Sequence, residues 1–296
     1  MTDDFSPVFG RLITAMVTPF GDGGELDLDA ARRLARHLVD DQLNDSLVIN
    51  GTTGESPTTT DAEKKALLEA VISEVGDRAQ IIAGVGTFST AHTIRLAQDA
   101  AEAGADGLLV VTPYYSRPPQ DALAAHFWTV ADATDLPVML YDIPHRAGVP
   151  IETATLIGLA EHPRIVAVKD AKGQPVASSQ VMAASSLTYY AGDDAMTLPL
   201  MAVGGVGVVG TSTHFTGRAT RQMIEDFTQG RVEAALGLHQ RLLPVYTGVF
   251  ATQGVMMVKA ALNARGLPVG PVRAPLLDAT PEQAGTFLEL LAQFEA

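Results

Sequence analysis

The sequence predicts a (β/α)8 barrel with a C-terminal helical extension. Eight short apolar segments alternate with longer amphipathic segments, and eight such pairs in about 230 residues suit a closed barrel. Segments 108–111 (LLVV) and 165–168 (IVAV) are apolar at every position, which is typical of parallel strands covered on both faces. After about residue 230 the strand pattern stops. An open doubly wound sheet is the alternative that the alternation by itself leaves open.

The predicted strands are short apolar runs that stop at polar or turn-forming residues. They cover residues 12–20, 46–51, 80–86, 107–113, 138–144, 165–170, 188–193 and 205–211.

The predicted helices repeat apolar residues at intervals of three and four, and several have recognisable starts. Asp27 precedes the first, Thr60 or Asp61 the second, and Ser89 or Thr90 the third. The clearest barrel helices cover 28–41, 62–75, 91–103, 122–132 and 152–161, and those of the extension 232–243, 255–265 and 282–294. We therefore expect a catalytic barrel over residues 1–230 and a helical extension over 231–296.

Composition argues against several classes of protein. The 296 residues are 47% hydrophobic and 18% charged, as in an ordinary globular chain. The net charge of −14 disfavours nucleic acid and anionic membranes as partners. There is no cysteine, which argues against disulfides and thiolate metal sites and favours the cytoplasm.

Two segments bear on targeting and membranes. The acidic segment 1–7 (MTDDFSP) lacks the pattern of a signal peptide. The uncharged segment 195–213 contains a proline and four glycines. It fits a buried helix followed by a buried strand better than a membrane span.

Polar and reactive residues follow five of the predicted strands, at the rim where barrel enzymes have their active sites. These segments are 50–55 (NGTTGE), 112–115 (TPYY), 141–146 (YDIPHR), 168–170 (VKD) and 192–194 (GDD).

Lys169 is the most informative candidate, because it directly follows the apolar run 165–168. A buried ammonium is costly unless it is paired or neutral. Lys169 is therefore either a structural partner of Asp170 or Asp193, or an amine of lowered pKa that forms a Schiff base with a carbonyl substrate. By contrast, lysines 64 and 65 are expected on an exposed helix face.

Tyrosines 114, 115 and 141 stand at strand ends. Each is either part of the core or, beside an amine nucleophile, a group that passes protons. Thr52 and Thr53 lie between glycines and form either a plain turn or a small nest of N–H and hydroxyl donors for a carboxylate. Arg146 is either a solvated surface charge or a bidentate partner for a second carboxylate.

Other motifs carry little weight. Residues 205–210 match G-x-G-x-x-G, but the glycines lie inside an apolar run and not in a turn that opens a helix. The seven histidines form neither H-E-x-x-H nor H-x-H, so no metal site is indicated. Neither Ser56 nor Ser212 lies in a G-x-S-x-G motif, which disfavours a serine hydrolase.

Taken together, the strand-end motifs resemble the dihydrodipicolinate synthase family of pyruvate-dependent class I aldolases. The motifs are 51–56 (GTTGES), 112–115 (TPYY), Tyr141-x-x-Pro144-x-Arg146, Val168-Lys169 and 192–194 (GDD). The likeness runs from about residue 12 to the C-terminus. It implies a lyase of lysine and diaminopimelate biosynthesis that condenses pyruvate with L-aspartate-4-semialdehyde to 4-hydroxy-tetrahydrodipicolinate, without a cofactor.

The resemblance also implies roles for the catalytic side chains. Lys169 is expected to take up pyruvate as a Schiff base, with Tyr141 beside it as general acid and base. Thr52 and Tyr115 are expected to complete a proton relay with Tyr141. Tyr115, the second tyrosine of its pair, is expected to cross from a neighbouring subunit. Family members are commonly homotetramers built as dimers of dimers.

Substrate-binding roles follow from the same resemblance. Thr53, with a backbone N–H of the threonine loop, is expected to hold the pyruvate carboxylate. Val209 is expected to line the pyruvate site through its backbone, and Gly192 is expected to contact substrate. Arg146 is expected to bind the carboxylate of the semialdehyde.

The chain departs from the family in two places. Members inhibited by lysine carry two histidines, an asparagine and a glutamate where this chain has Asp61, Lys64, Phe88 and His92. Feedback inhibition is therefore expected to be weak or absent. Residues 253–257 (QGVMM) lack an Asn-Pro pattern common in the family, and the sequence offers no account of that difference.

Three other functions are weighed against this one. N-acetylneuraminate lyases and 2-keto-3-deoxy-sugar-acid aldolases share the lysine and tyrosine, but Arg146 and the Thr52–Tyr115 relay favour a small carboxylated aldehyde. A non-catalytic barrel is disfavoured because the lysine and all strand-end tyrosines are present. An NAD-linked oxidoreductase rests only on the glycines of 205–210.

Overall fold

The structure is a computed structural model that describes residues 7–296. Eight parallel strands form a closed barrel in the order β1 to β8, as the sequence predicts. They are β1 (Leu12–Ala15), β2 (Ser46–Ile49), β3 (Gln80–Gly84), β4 (Gly107–Val111), β5 (Val138–Asp142), β6 (Ile165–Asp170), β7 (Thr188–Ala191) and β8 (Gly207–Gly210). Most are shorter than predicted, because the residues that follow them leave the sheet and build the rim.

The helices follow the strands in the expected alternation. They are α1 (Leu28–Arg36), α2 (Asp61–Val75), α3 (Thr90–Ala103), α4 (Gln120–Asp132), α5 (Pro144–Ala147), α6 (Thr153–Leu159), α7 (Pro175–Ala184), α8 (Thr197–Met201), α9 (Thr213–Thr228), α10 (Val232–Gly248), α11 (Gly254–Ala264) and α12 (Pro281–Glu295). A π-helical turn, His37–Asp41, continues α1.

The predicted helix starts are correct. Asp27 accepts a hydrogen bond from the N–H of Ala30 at the start of α1. Thr60 and Glu63 form a capping box at the start of α2, in which each side chain accepts from the other residue's backbone N–H. The uncharged segment 195–213 contains helix α8 and then strand β8, as predicted.

Helix α10 is longer than its sequence pattern indicates. It runs through Pro244 to Gly248, five residues past its predicted end. Proline removes one helical hydrogen bond, but the next turn buries Val245 and Tyr246. Their burial stabilises a turn that helix propensity by itself disfavours.

The barrel interior is filled by side chains from alternate strand positions. They include Ile13, Val48, Ile82, Leu109, Met139, Ala167, Tyr190 and Val209. A second, larger apolar layer lies between the strands and the surrounding helices. The functional rim therefore rests on a packed core rather than on a pore.

The glycines of 205–210 serve the barrel. A Cβ at Gly207 would lie 1.9 Å from the carbonyl oxygen of Arg11, so only glycine lets β8 approach β1. At Gly210 a Cβ would lie 2.7 Å from a carboxylate oxygen of Asp194. Both glycines belong to strand β8, which removes the structural basis for a dinucleotide-binding turn.

Two further observations concern the predicted segments. Residues 1–6 of the acidic segment 1–7 lie outside the described residues. Across residues 7–296, no helix combines the length and the hydropathy that a membrane crossing requires. Helices α9 and α10, on either side of the predicted boundary at residue 230, pack against each other. That boundary stays a prediction.

Candidate active site

A cavity of about 470 Å³ opens at the carboxyl ends of the strands and brings together six of the eight predicted site residues. They are Thr52, Thr53, Tyr141, Arg146, Lys169 and Gly192. A second cavity of about 370 Å³ adjoins it and is also lined by Thr52, Tyr141 and Arg146.

Lys169 lies near the end of β6 and lines the larger cavity. It is only 5% exposed. Strands β5 and β6 pair Tyr141 with Lys169 in register, which places the Lys169 Nζ 4.2 Å from the centre of the Tyr141 ring.

No carboxylate of the described chain forms an ion pair with Lys169. Alternation along the strand turns Asp170 to the opposite face, where it accepts hydrogen bonds from the Ser178 hydroxyl and the Lys172 N–H. Asp193 accepts from the N–H of Ala195. The predicted structural alternative, an ion pair of Lys169 with Asp170 or Asp193, is therefore wrong.

The surroundings of Lys169 increase the share of its neutral amine. Burial lowers its pKa to about 8, the nearby charge of Asp194 raises the pKa in part, and the charge of Arg146 lowers it further. A larger share of neutral amine is present near pH 7 than in a solvated lysine, and the neutral amine is the nucleophile.

Tyr141 is also buried, and burial favours its neutral form as well, although here this means a raised pKa. Burial raises the pKa of its hydroxyl well above the usual range. The hydroxyl therefore stays protonated at neutral pH and can donate a proton or a hydrogen bond to a group bound at Lys169.

The loop of residues 51–55 brings Thr52 and Thr53 to the cavity. Two hydrogen bonds of 3.1 Å close its turn. The Gly54 N–H donates to the Gly51 carbonyl, and the Glu55 N–H donates to the Thr52 carbonyl. The Thr18 hydroxyl donates to the Gly54 carbonyl at 2.6 Å. The turn is fixed, so the two threonines have defined positions.

Thr211, the residue after strand β8, supports this loop. Its hydroxyl lies 3.4 Å from that of Thr53, and its N–H donates to Asp194. The His214 Nδ1–H donates to the Thr211 carbonyl, while His214 Nε2 accepts from the N–H of Val17. Burial lowers the pKa of His214 to about 4, which keeps this bridge neutral.

Arg146 lies on the short helix α5. Its side chain lines both cavities, and its Nη2 donates to Gln253 Oε1 at 3.0 Å. The guanidinium therefore faces the site and is not simply a solvated surface charge.

Two predicted residues do not line the cavity in this single chain. Tyr115 is 94% exposed and adopts a positive φ of 72°, a conformation that tyrosine seldom takes. Its neighbour Tyr114 lines the second cavity and makes an edge contact with Phe88, with ring centroids 5.6 Å apart. Val209 lies in β8 among the interior residues.

Sequence analysis missed the wall that the C-terminal extension provides. Tyr246, Thr247, Phe250, Thr252 and Gln253 line the Lys169 cavity. They follow no strand and match no motif. Only the unexplained segment 253–257 pointed to this region.

The prediction for Lys64 is wrong. It is 7% exposed, and its Nζ donates to the Thr59 carbonyl. Lys172 is likewise buried and lies 2.9 Å from Asp142. These amines are occupied, whereas that of Lys169 faces a cavity. Among the described residues, no group of three or more His, Asp or Glu side chains is arranged to hold a metal ion.

A buried lysine of lowered pKa beside a buried tyrosine, at the open rim of a (β/α)8 barrel, is typical of lysine-dependent aldolases. Residues 8–294 match the model of the Dihydrodipicolinate synthetase family. The chain belongs to this family.

Relatives agree over nearly the whole chain. The 4-hydroxy-tetrahydrodipicolinate synthase of Cutibacterium acnes is 61% identical over 97% of this chain and 98% of its own length. That of Acidothermus cellulolyticus is 62% identical over 99% of this chain and 95% of its own. These relatives confirm the predicted activity and the assignment to the lyases.

Solved structures agree as well. The DHDPS of Cyanidioschyzon merolae, crystallised with lysine bound, superposes with a TM-score of 0.96 at 40% identity. The alignment covers 98% of this chain and 99% of that one. The predicted fold class is thereby confirmed.

Proposed function

We propose that Lys169 forms a Schiff base with pyruvate and that the resulting enamine attacks L-aspartate-4-semialdehyde. The observation that carries this proposal is the Lys169 amine itself: buried, free of a carboxylate ion pair among residues 7–296, and open to a cavity. The amine adds to the pyruvate carbonyl, and water leaves as the imine forms. Loss of a methyl proton gives the enamine, whose carbon bonds to the aldehyde carbon. The amine of the semialdehyde then attacks the imine carbon, closes the ring and releases Lys169.

Tyr141 is the proton donor and acceptor of these steps in our proposal. Its protonated hydroxyl suits loss of water from the carbinolamine and protonation of the new alkoxide. Thr52 lines both cavities with Tyr141 and would pass protons toward Tyr115.

The pyruvate carboxylate would be held by the threonine loop. The Thr53 hydroxyl, a loop N–H and the backbone near Val209 supply neutral donors. Gly192 lies on the same wall, where a Cβ would come within 3.1 Å of the Lys169 Cγ. Lack of a side chain there keeps room beside the amine for a small keto acid.

Arg146 would bind the carboxylate of the semialdehyde. A guanidinium at this wall favours an anionic aldehyde over a polyhydroxylated sugar. This supports the synthase over N-acetylneuraminate lyase or a 2-keto-3-deoxy-sugar-acid aldolase.

A second copy of the chain would complete the site. Tyr115 and Phe88 are both largely exposed, and Phe88 packs edge-on against Tyr114, which lines the second cavity. A neighbouring subunit would cover these rings and receive Tyr115. We propose a homotetramer built as a dimer of dimers. We also propose that it works in the cytoplasm, because a chain without cysteine forms no disulfides and needs no oxidising compartment.

Borohydride trapping tests the central step. Pyruvate and borohydride are added to the enzyme, and intact mass and peptide mapping locate the reduced adduct. We expect one pyruvate adduct on Lys169 and none in Lys169→Ala. An adduct on another lysine would remove the basis of the proposal.

A further inference from the structure

The side chain of Gln253 connects the extension to the reactive rim. Its Oε1 accepts a hydrogen bond from Arg146 Nη2 at 3.0 Å, between residues 107 positions apart in the chain. Both side chains line the cavity that contains Lys169. Gln253 thus joins the extension to the guanidinium by a hydrogen bond.

The position of Gln253 is fixed by its backbone. It is the residue before α11, with φ −66° and ψ 124°, and its carbonyl accepts from the N–H of Met256 at 2.9 Å. The next residue, Gly254, is tightly packed. A Cβ there would lie 2.8 Å from the Phe250 ring and 3.3 Å from the Thr211 Cγ2. The amide therefore approaches Arg146 from a rigid support.

The chemistry of an amide suits this place. Its oxygen can orient a guanidinium without cancelling the positive charge, because the amide is neutral. A carboxylate at the same point would form an ion pair with Arg146 and compete with an anionic substrate. The pairing leaves a charged and oriented guanidinium at the cavity wall.

We propose that Gln253 is a positioning residue that sets specificity for a carboxylated aldehyde by orienting Arg146. The inference rests on the role proposed above for Arg146. It also gives the segment 253–257 a function that its sequence did not reveal.

Two substitutions test this proposal. Gln253→Met keeps the length of the side chain and removes the acceptor, and Gln253→Glu keeps the acceptor and adds a charge. We expect Gln253→Met to raise KM for the semialdehyde about tenfold, the scale of one hydrogen bond to a charged group, and Gln253→Glu to raise it further. KM for pyruvate and the rate of borohydride trapping should stay at wild-type values in Gln253→Met, which leaves the charge of Arg146 unchanged.

A double-variant cycle separates positioning from packing. In an Arg146→Met background, Gln253→Met should have no further effect on KM for the semialdehyde. Gln98→Met, on an exposed part of α3, is the matched control and should leave both KM values unchanged. An unchanged KM for the semialdehyde in Gln253→Met, an equal change in both KM values, or additive effects with Arg146→Met would overturn the proposal.

The same data separate this inference from the proposed function. Failure of the wild type to trap pyruvate on Lys169 would refute the Schiff-base mechanism. An Arg146→Met enzyme with wild-type KM for the semialdehyde would refute the role of Arg146. If the wild type traps pyruvate on Lys169 and Arg146→Met raises KM for the semialdehyde, but Gln253→Met has no effect, only the role of Gln253 is refuted.

Discussion

Lys259 Nζ lies 2.7 Å from Glu55 Oε1, and each of these two side chains is 2% exposed. Lys259 belongs to α11 of the extension and Glu55 closes the threonine loop. The Glu55 Oε2 also accepts from the N–H of Arg273 at 2.8 Å, and Lys259 Nζ donates to the Pro271 carbonyl at 2.7 Å. The extension thus holds the loop that carries the proposed pyruvate carboxylate site.

Removing one charge of this pair should be strongly destabilising. We expect Lys259→Met to lower the free energy of unfolding by about 3–5 kcal/mol, because Glu55 is left buried and unpaired. Urea denaturation followed by circular dichroism measures the loss.

Two further variants control this prediction. Lys65 lies 3.6 Å from Glu102 with side chains 41% and 71% exposed, so Lys65→Met should cost less than about 1 kcal/mol. The double variant Glu55→Gln, Lys259→Met removes both charges and should be more stable than Lys259→Met. A Lys259→Met protein as stable as Lys65→Met would contradict the importance of the buried pair.

The lowered pKa of Lys169 predicts how imine formation depends on pH. Only the neutral amine attacks pyruvate, and the pKa of Lys169 is lowered to about 8. The initial trapping rate should therefore rise about tenfold per pH unit below that pKa and level off above it. Because the charge of Arg146 lowers this pKa, Arg146→Met should move the midpoint to higher pH. A rate that still rises steeply between pH 9 and 10 would show that Lys169 titrates like a solvated lysine.

Tyr115→Phe should lower turnover roughly a hundredfold, the scale of a lost proton-transfer group, and leave trapping of pyruvate on Lys169 largely intact. The comparison of steady-state turnover with single-turnover trapping measures both. A variant with full turnover would exclude Tyr115 from the relay.

Mixing two inactive variants tests whether Tyr115 acts in the neighbouring subunit. Tyr115→Phe and Lys169→Ala are unfolded together, refolded and assayed. If Tyr115 crosses the interface, a mixed dimer has one site with Lys169 from one chain and Tyr115 from the other, and activity exceeds that of either variant refolded separately. No gain in a preparation shown by mass to contain mixed dimers would place Tyr115 in its own subunit's site.

Feedback by lysine should be weak or absent. Two of the four side chains at the expected inhibitor positions, Asp61 on α2 and His92 on α3, are already bonded to each other, with His92 Nε2 2.9 Å from the Asp61 carboxylate. Lys64 adds a positive charge at another of these positions, and its Nζ donates a hydrogen bond to the Thr59 carbonyl. We expect the initial rate with millimolar L-lysine to lie within about twofold of the rate without it, because exposed charge interactions with the ligand would contribute little binding energy. Strong inhibition in that range would show that the pocket recognises lysine by other residues.

Local pattern in the sequence determined the barrel and the strand-end part of the site. Apolar runs of strand length predict buried strands, and each strand's last residue must reach the same rim, so Lys169, Tyr141 and the threonine loop could be placed together before any coordinates. Tertiary structure decided what those side chains meet. Lys169 forms no ion pair with Asp170 because alternation along the strand places the two side chains on opposite faces. Lys64 can be buried because the Thr59 carbonyl, in the preceding turn, accepts a hydrogen bond from its Nζ. The contacts of Gln253 with Arg146 and of Lys259 with Glu55 join residues that are distant in sequence. No periodicity or motif encodes such pairs, because they form only when the barrel has closed and the extension has packed against it.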